Sequence, residues 1–151
     1  MGKPIVPFRC ARLRELPSGL DALVTESEAA EMSLVRRLAD EWRDGSNRFD
    51  RPGEALFGAW VDDRLVGVCG LNIDPYVRDD RVGRVRHLYV LAASRRLGVA
   101  RALLAETLAA ARGRFPTLRL STSNPAAARL YESLGFRPVT QPHCTHVLSL
   151  T

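Results

Sequence analysis

His87-Leu88-Tyr89-Val90, followed after Leu91-Ala92-Ala93-Ser94 by Arg95-Arg96-Leu97-Gly98-Val99-Ala100-Arg101, is the stretch that decides the reading of this chain. Val82 to Val90 reads as a strand, with Val85, His87 and Tyr89 expected on one face and Arg86, Leu88 and Val90 on the other. Val99 to Arg112 reads as a helix, because Ala100, Leu103, Leu104, Thr107, Leu108 and Ala111 form one stripe at helical spacing. Where a strand ends and a helix begins, the first-turn N–H groups lack partners and carry partial positive charge, which suits a phosphate. Gly98 and Ala100 keep that turn free of bulk, and Arg95, Arg96 and Arg101 add positive charge around it. The turn is therefore a candidate cradle for an anion the size of pyrophosphate. It is not a P-loop, since GxxxxGK(S/T) is missing, nor a dinucleotide fingerprint, since GxGxxG is missing. A tight strand–helix turn that binds nothing would read the same locally.

Outward from this stretch, a first strand is expected within Ile5 to Leu16, broken by Pro17-Ser18-Gly19. Leu20 to Arg43 is helical in pattern, divided by a turn near Thr25 to Glu28 and ended by Gly45-Ser46-Asn47. Leu56 to Val61 and Leu65 to Ile73 flank Asp62-Asp63-Arg64 and read as a hairpin. Asp74 to Arg81 is a charged loop. Arg84 and Arg86, on the strand that follows, either attract an acidic group on an acceptor or are solvated, and solvated is the preferred reading. Beyond the central helix, Gly113 stands where a left-handed residue is favoured, and Thr117 to Thr122 is the next strand. Pro125 to Leu134 is a helix with Asn124 as N-cap and Pro125 as first residue, closed by Gly135. Phe136 to Val139 and His146 to Leu150 complete the strands. The order predicts an α/β fold with a mixed sheet, neither doubly wound nor a barrel.

A second segment separates the readings of the turn. Asn124-Pro125-Ala126-Ala127-Ala128-Arg129-Leu130-Tyr131-Glu132-Ser133-Leu134-Gly135-Phe136 follows one helix and one strand later. Together the two segments resemble the GCN5-related N-acetyltransferase (GNAT) family. Its RxxGxG/A turn is matched by Arg95, Gly98 and Ala100, and its NxxAxxxYexxGF helix by Asn124, Ala127, Tyr131, Glu132, Gly135 and Phe136. The resemblance covers nearly the whole chain. It implies a mixed, mostly antiparallel sheet with splayed central strands flanked by helices. It implies acetyl-CoA as cosubstrate, with no metal, and acetyl transfer to a primary amine by direct attack in a ternary complex. On that reading the pyrophosphate sits on Arg95, Arg96, Leu97, Gly98, Val99, Ala100 and Arg101. The pantetheine arm bonds the backbone of Leu88, Tyr89 and Val90, Asn124 both caps its helix and touches the cofactor, and Tyr131 reaches the sulfur.

The chemistry asks for further parts. A strand N–H near Leu88 or Tyr89 would hold the developing oxyanion. A phenol near pKa 10 can stabilise or protonate a thiolate whose conjugate acid lies near 8.5. The central strand offers no Asp or Glu as base, in departure from many relatives, and His87 is the local candidate, acting through water. His143 and His146 have no metal-ligand context with Cys144.

Composition bounds the alternatives. The 151 residues and 16.7 kDa read as one domain, residues 1–151, with 46% hydrophobic and 26% charged residues excluding disorder. No run approaches the ~18 apolar residues of a membrane helix. Met1 to Cys10 lacks a leader's apolar core, since Pro4, Pro7 and Arg9 interrupt it. Cys10, Cys69 and Cys144, odd in number and widely spaced, fit a reducing, cytoplasmic setting, with Cys69 filling core. Net charge +5 and pI near 9.7 raise a nucleic-acid-binding alternative, but aromatics are only 7% and the Arg cluster has a use in cofactor phosphates. A catalytically silent CoA-binding member of the fold is a third reading. The acceptor, a small-molecule or protein amine, is not specified, and a homodimer is left open.

Overall fold

The computed structural model describes residues 7–150, so Ile5 and Val6 of the expected first strand lie outside the described residues. The chain runs β1 (Arg9–Leu13), α1 (Leu20–Ala29), α2 (Leu34–Asp44), β2 (Ala55–Val61), β3 (Arg64–Ile73), β4 (Val82–Val90), a single 3-10 turn at Ala92–Ser94, α3 (Val99–Ala111), β5 (Thr117–Leu120), α4 (Pro125–Ser133), β6 (Arg137–Gln141) and β7 (Cys144–Ser149). The seven strands form one sheet in the order β1-β2-β3-β4-β5-β7-β6. Every pairing is antiparallel except β4 with β5. The mixed, mostly antiparallel sheet expected from the sequence is thus present.

Local chemistry explains most of these elements. Asp62 and Asp63 join β2 to β3 with φ of 48° and 63°, the two left-handed residues of a type I′ hairpin, which Asp tolerates. Asn124 Oδ1 accepts from the N–H groups of Ala126 and Ala127, with Pro125 in the first helical position, as the sequence predicts. The division between α1 and α2 lies at residues 30–33 rather than near Thr25 to Glu28. Ser27 is buried inside α1 with its hydroxyl returned to the Val24 carbonyl, so the polar run stays helical. The helix closes instead on Glu31, a left-handed residue at φ 60°, with the Met32 N–H on the Ser27 carbonyl.

The sheet is covered on both faces. Thr107 of α3 hydrogen-bonds Cys69, which is wholly buried with its thiol pushed up to about 12 by desolvation, as fits a core filler. On the opposite face α2 packs Trp42 on Phe49, and the Phe49 ring lies against Gly70, where a Cβ would stand 2.6 Å from it. Leu38, Leu56, Leu71, Leu103, Leu104, Phe115 and Leu118 fill the two layers. No helix among the described residues is long and apolar enough to cross a membrane.

Two departures from regular strand geometry position the site. In β4, Arg86 pairs with Gly70 and Tyr89 with Val68, so His87 and Leu88 together oppose Cys69. This is a β-bulge centred on His87, whose φ is 61°. It corrects the expected alternation: Val85 opposite Leu71 and Tyr89 opposite Val68 lie on opposite faces. The second departure is that β4 and β5 pair over only three residues, Val82–Arg84 with Thr117–Arg119. Beyond them the strands part. β5 ends at Leu120, and Ser121 and Thr122, expected in the strand, leave the sheet.

Candidate functional site

The parted strands open a cleft of about 820 Å³. Residues 85–90 of β4 form one wall, left unpaired by β5, with the Val90 carbonyl taken by Arg95 Nε. Ser121 to Asn124 and Ala126, Ala127, Leu130 and Tyr131 of α4 form the facing wall, and Ala30 to Leu34 and Arg37 the rim. Backbone groups on an unpaired strand edge must find a partner, so this wall can take an extended, amide-bearing ligand as a neighbouring strand would.

At one end the cleft meets the turn before α3. Arg95 and Ala100 line it, whereas Arg96, Leu97, Gly98, Val99 and Arg101 continue the turn beyond the lining. Gly98 caps α3 at φ 86°, and a Cβ there would meet nothing within 4 Å, so the glycine serves a backbone conformation rather than relief from crowding within the chain. The first-turn N–H groups of Val99, Ala100 and Arg101 have no acceptor among the described residues. Val99 is buried beneath the turn, and Arg96 is exposed at φ 70°. Arg95 does not point its guanidinium at this space. Its Nε donates to the Val90 carbonyl and its Nη2 to the Tyr89 hydroxyl, with Glu26 at 3.9 Å. Arg101 spans to the Ser133 hydroxyl of α4. The cradle is therefore built mainly from backbone N–H groups, with exposed Arg96 beside it as a cation that has no partner among the described residues.

Tyr131 lies on α4 with its ring against Phe136 and 6% exposed, and its hydroxyl has no partner among the described residues. Burial pushes this phenol well above the ordinary tyrosine range, so it is held protonated and can act as a donor. Behind it, His146 donates from Nε2 to the Glu132 carboxylate at 2.9 Å and pairs through Nδ1 with the Thr145 hydroxyl at 2.8 Å, tying β7 to α4. No role for His146 is legible in the sequence; the structure makes it a buried brace.

His87 is held by the bulge. Its Nδ1 donates to the Leu34 carbonyl at 2.9 Å, because a carbonyl can only accept, which leaves Nε2 as the bare nitrogen. That Nε2 is buried without a partner among the described residues. Desolvation first, and then the charge of Arg86, lower the imidazole to about 3. His87 is thus neutral and fastens α2 to β4. So weak a base is poorly suited to take a proton from an ammonium group. Tyr89 turns its hydroxyl to Glu26 at 2.5 Å, while Glu26 also accepts from the Ala92 N–H. Burial and then the Glu26 bond push Tyr89 up to about 12, and the Tyr89 bond in turn leads the lowering of Glu26.

Arg84 and Arg86 correct the expectation of solvated residues. Asp74, with its side chain fully buried, accepts through Oδ2 from Arg119 at 3.0 Å and Arg84 at 3.4 Å, and through Oδ1 from the Tyr76 N–H. Arg84 and Arg119 form the last pair of the β4–β5 ladder, so this ion cluster stands where the strands part. One carboxylate serves two buried guanidiniums there. Arg86 is half-buried and lines the cleft. No group of three metal-ligating side chains is found among the described residues.

The site thus brings together the unpaired edge of Leu88 to Val90, Ala100, Asn124 and Tyr131, and it gives Arg95 and His87 internal partners. Sequence reading missed Glu26 and the Asp74–Arg84–Arg119 cluster. Neither has a local signal, since Glu26 and Asp74 are separated from Tyr89 and Arg119 by 63 and 45 positions.

Comparison with known proteins agrees with this geometry. The model of the acetyltransferase (GNAT) family matches residues 20–136. A proposed acetyltransferase from Exiguobacterium sp. 255-15 superposes with a TM-score of 0.85 at 27% identity, over 95% of this chain and 93% of that one. At 18% identity and a TM-score of 0.67, over 96% and 95% of the two chains, the ribosomal-protein-S18-alanine N-acetyltransferase of Escherichia coli has the same fold. An acetyltransferase of the GNAT family from Staphylococcus aureus Mu50 does so at 14% identity and 0.71, over 95% and 100%. No curated protein sequence matches the chain.

Proposed function

The chain belongs to the acetyltransferase (GNAT) family, and from that premise we propose that it moves the acetyl group of acetyl-CoA to a primary amine by direct attack in a ternary complex. The observation that carries the reading is the parting of β4 and β5 after Arg84 and Arg119, which leaves an unpaired strand edge leading to free N–H groups at the start of α3. These groups fit the two polar parts of coenzyme A. The Leu88–Val90 edge would bond the pantetheine amides, and the Gly98–Arg101 turn, with Arg96 beside it, would hold the pyrophosphate. Asn124 keeps its side-chain amide N–H groups free for the same ligand, since only its Oδ1 is used in capping.

When bound, acetyl-CoA supplies an acetyl thioester, whose carbonyl carbon forms the new C–N bond as the C–S bond breaks. A backbone N–H near Leu88 or Tyr89 stabilises the charge gathering on the carbonyl oxygen. Tyr131, kept protonated by burial, donates from Oη toward the departing sulfur. His87 positions the bulge rather than taking the amine's proton. The only carboxylate lining the cleft among the described residues is Glu31 at its exposed rim, so the proton leaves through water at the open mouth.

Thermal shift with CoA tests the reading. At about 100 times its dissociation constant, CoA should add ~2.7 kcal/mol, a rise of roughly 5–11 °C in Tm for a chain of this length. Arg96→Glu, at an exposed position, should shrink the rise while leaving the Tm without CoA in place. No shift at millimolar CoA would remove the proposal.

A further inference from the structure

The cleft adjoins a second cavity of about 310 Å³, and the wall they share consists of Arg37, Tyr76 and Arg86. We propose that Arg86 is the anion-recognising residue of the acceptor site, and that the acceptor is a small amine carrying a carboxylate. The proposal rests on the acetyl-transfer reading above and names its second substrate class.

Arg86 stands apart from the arginines around it. Arg84 and Arg119 share Asp74, and Arg95 is bonded to the Val90 carbonyl and Tyr89. Arg86 is half-buried yet has no hydrogen bond or ion pair among the described residues. A guanidinium carries five donors in a fixed fork, and withdrawing them from water without acceptors is costly. Its surroundings sharpen that cost. Desolvation leads in disfavouring its charge; Glu41, beyond ion-pair distance, is the main group that opposes it, with Tyr76 adding to that side and Arg84 and Arg37 to the other. The other carboxylate of the second cavity, Glu54, is spent on Asn72, on the Ile73 N–H and on Arg51. Glu41, the carboxylate left over in that cavity, is outnumbered by Arg37 and Arg86 on the shared wall, so the missing partner is an anion supplied from outside the chain.

Its chemistry follows from the space. The Arg86 fork matches the two oxygens of one carboxylate, and Arg37, whose guanidinium likewise has no partner among the described residues, adds positive charge on the same wall. The second cavity, at about 310 Å³, has room for a small body. Tyr76 lines the same wall with its ring held between His143, stacked at 4.1 Å, and the Arg84 guanidinium at 4.8 Å, so it offers that body the ring edge. Arg86 also stands on the strand whose farther end carries Leu88 to Val90, so an acceptor gripped there by its carboxylate can present its amine along β4 toward the proposed thioester.

The test is kcat/KM for a series of ω-amino acids with two- to six-carbon chains, each against the alkylamine of equal length, with release of free thiol as readout. The amino acid of the best pair should be favoured by about 10- to 100-fold, the span of a charged hydrogen-bonded partner. Arg86→Gln should bring that ratio near one while the dissociation constant of CoA stays unchanged, and Arg86→Lys should fall between. Equal use of alkylamines by the wild type, or an unchanged ratio in Arg86→Gln, overturns the proposal. A second measurement keeps it separate from the acetyl-transfer reading. In the CoA-saturated protein, titration with valerate should shift the Arg86 Nε–Hε NMR signal saturably. If no amine is acetylated, the transfer reading falls, and this signal alone decides: a saturable shift upholds the anion site and its absence removes it.

Discussion

Asp74→Asn should be among the most damaging isosteric changes in this chain. The Asp74 side chain is fully buried, and those of Arg84 and Arg119 are only 8% and 10% exposed. The substitution keeps an acceptor for the Tyr76 N–H but removes the only negative charge between two guanidiniums that water barely reaches. Removing one partner of a buried ion pair costs ~3–5 kcal/mol. For a chain of this length that is a fall of roughly 6–20 °C in Tm. Because one carboxylate serves two cations, the cluster is asymmetric. Arg119→Met leaves Asp74 and Arg84 as a balanced pair and should cost clearly less, and the double variant should be more stable than the sum of the two losses implies. Urea unfolding of the four proteins, with and without CoA, reads both stability and the cleft that opens beside the cluster. An Asp74→Asn protein within ~2 °C of the wild type would refute the argument that this carboxylate holds the two strands together where they part.

The remaining expectations concern the groups facing the cleft. Tyr131→Phe should lower kcat by about 100-fold with the affinity for acetyl-CoA and the Tm nearly unchanged, because the ring keeps its packing and the hydroxyl has no partner to lose; steady-state kinetics at full rate would take Tyr131 out of the mechanism. His87 is neutral in the folded chain down to about 3 but titrates at its ordinary 6.5 once unfolded. The unfolded state thus binds the extra proton between those values, so stability falls as pH drops below 6.5, by ~1.4 kcal/mol per unit. His87→Asn, which tolerates the left-handed backbone, should flatten the decline of unfolding free energy between pH 6.5 and 5 by about 2 kcal/mol; parallel profiles of urea stability against pH for the two proteins would contradict this.

What the sequence determined by itself was local. Helical periodicity set α3, the Asn124-Pro125 cap started α4, and the Asp62-Asp63 pair closed the β2–β3 hairpin, because each depends on residues within a turn or two of one another. The anion cradle was legible for the same reason, as a helix start needs only its own first-turn N–H groups. The side chains that finish the site were decided by the tertiary structure. The bulge at His87 appears only once β4 is in register with β3, and it undid the simple alternation that periodicity implies. Arg95 read as a ligand for phosphate, and the fold also bonds it to the end of its own strand, while Arg84 read as solvated and is buried on Asp74. An arginine's local sequence does not state which carboxylate will reach it. That depends on where chain topology places a partner 10, 45 or 63 positions away, as with Asp74 for Arg84, Asp74 for Arg119 and Glu26 for Tyr89. Arg86 became distinctive in the same way, by being the guanidinium that the fold buries halfway and leaves without such a partner.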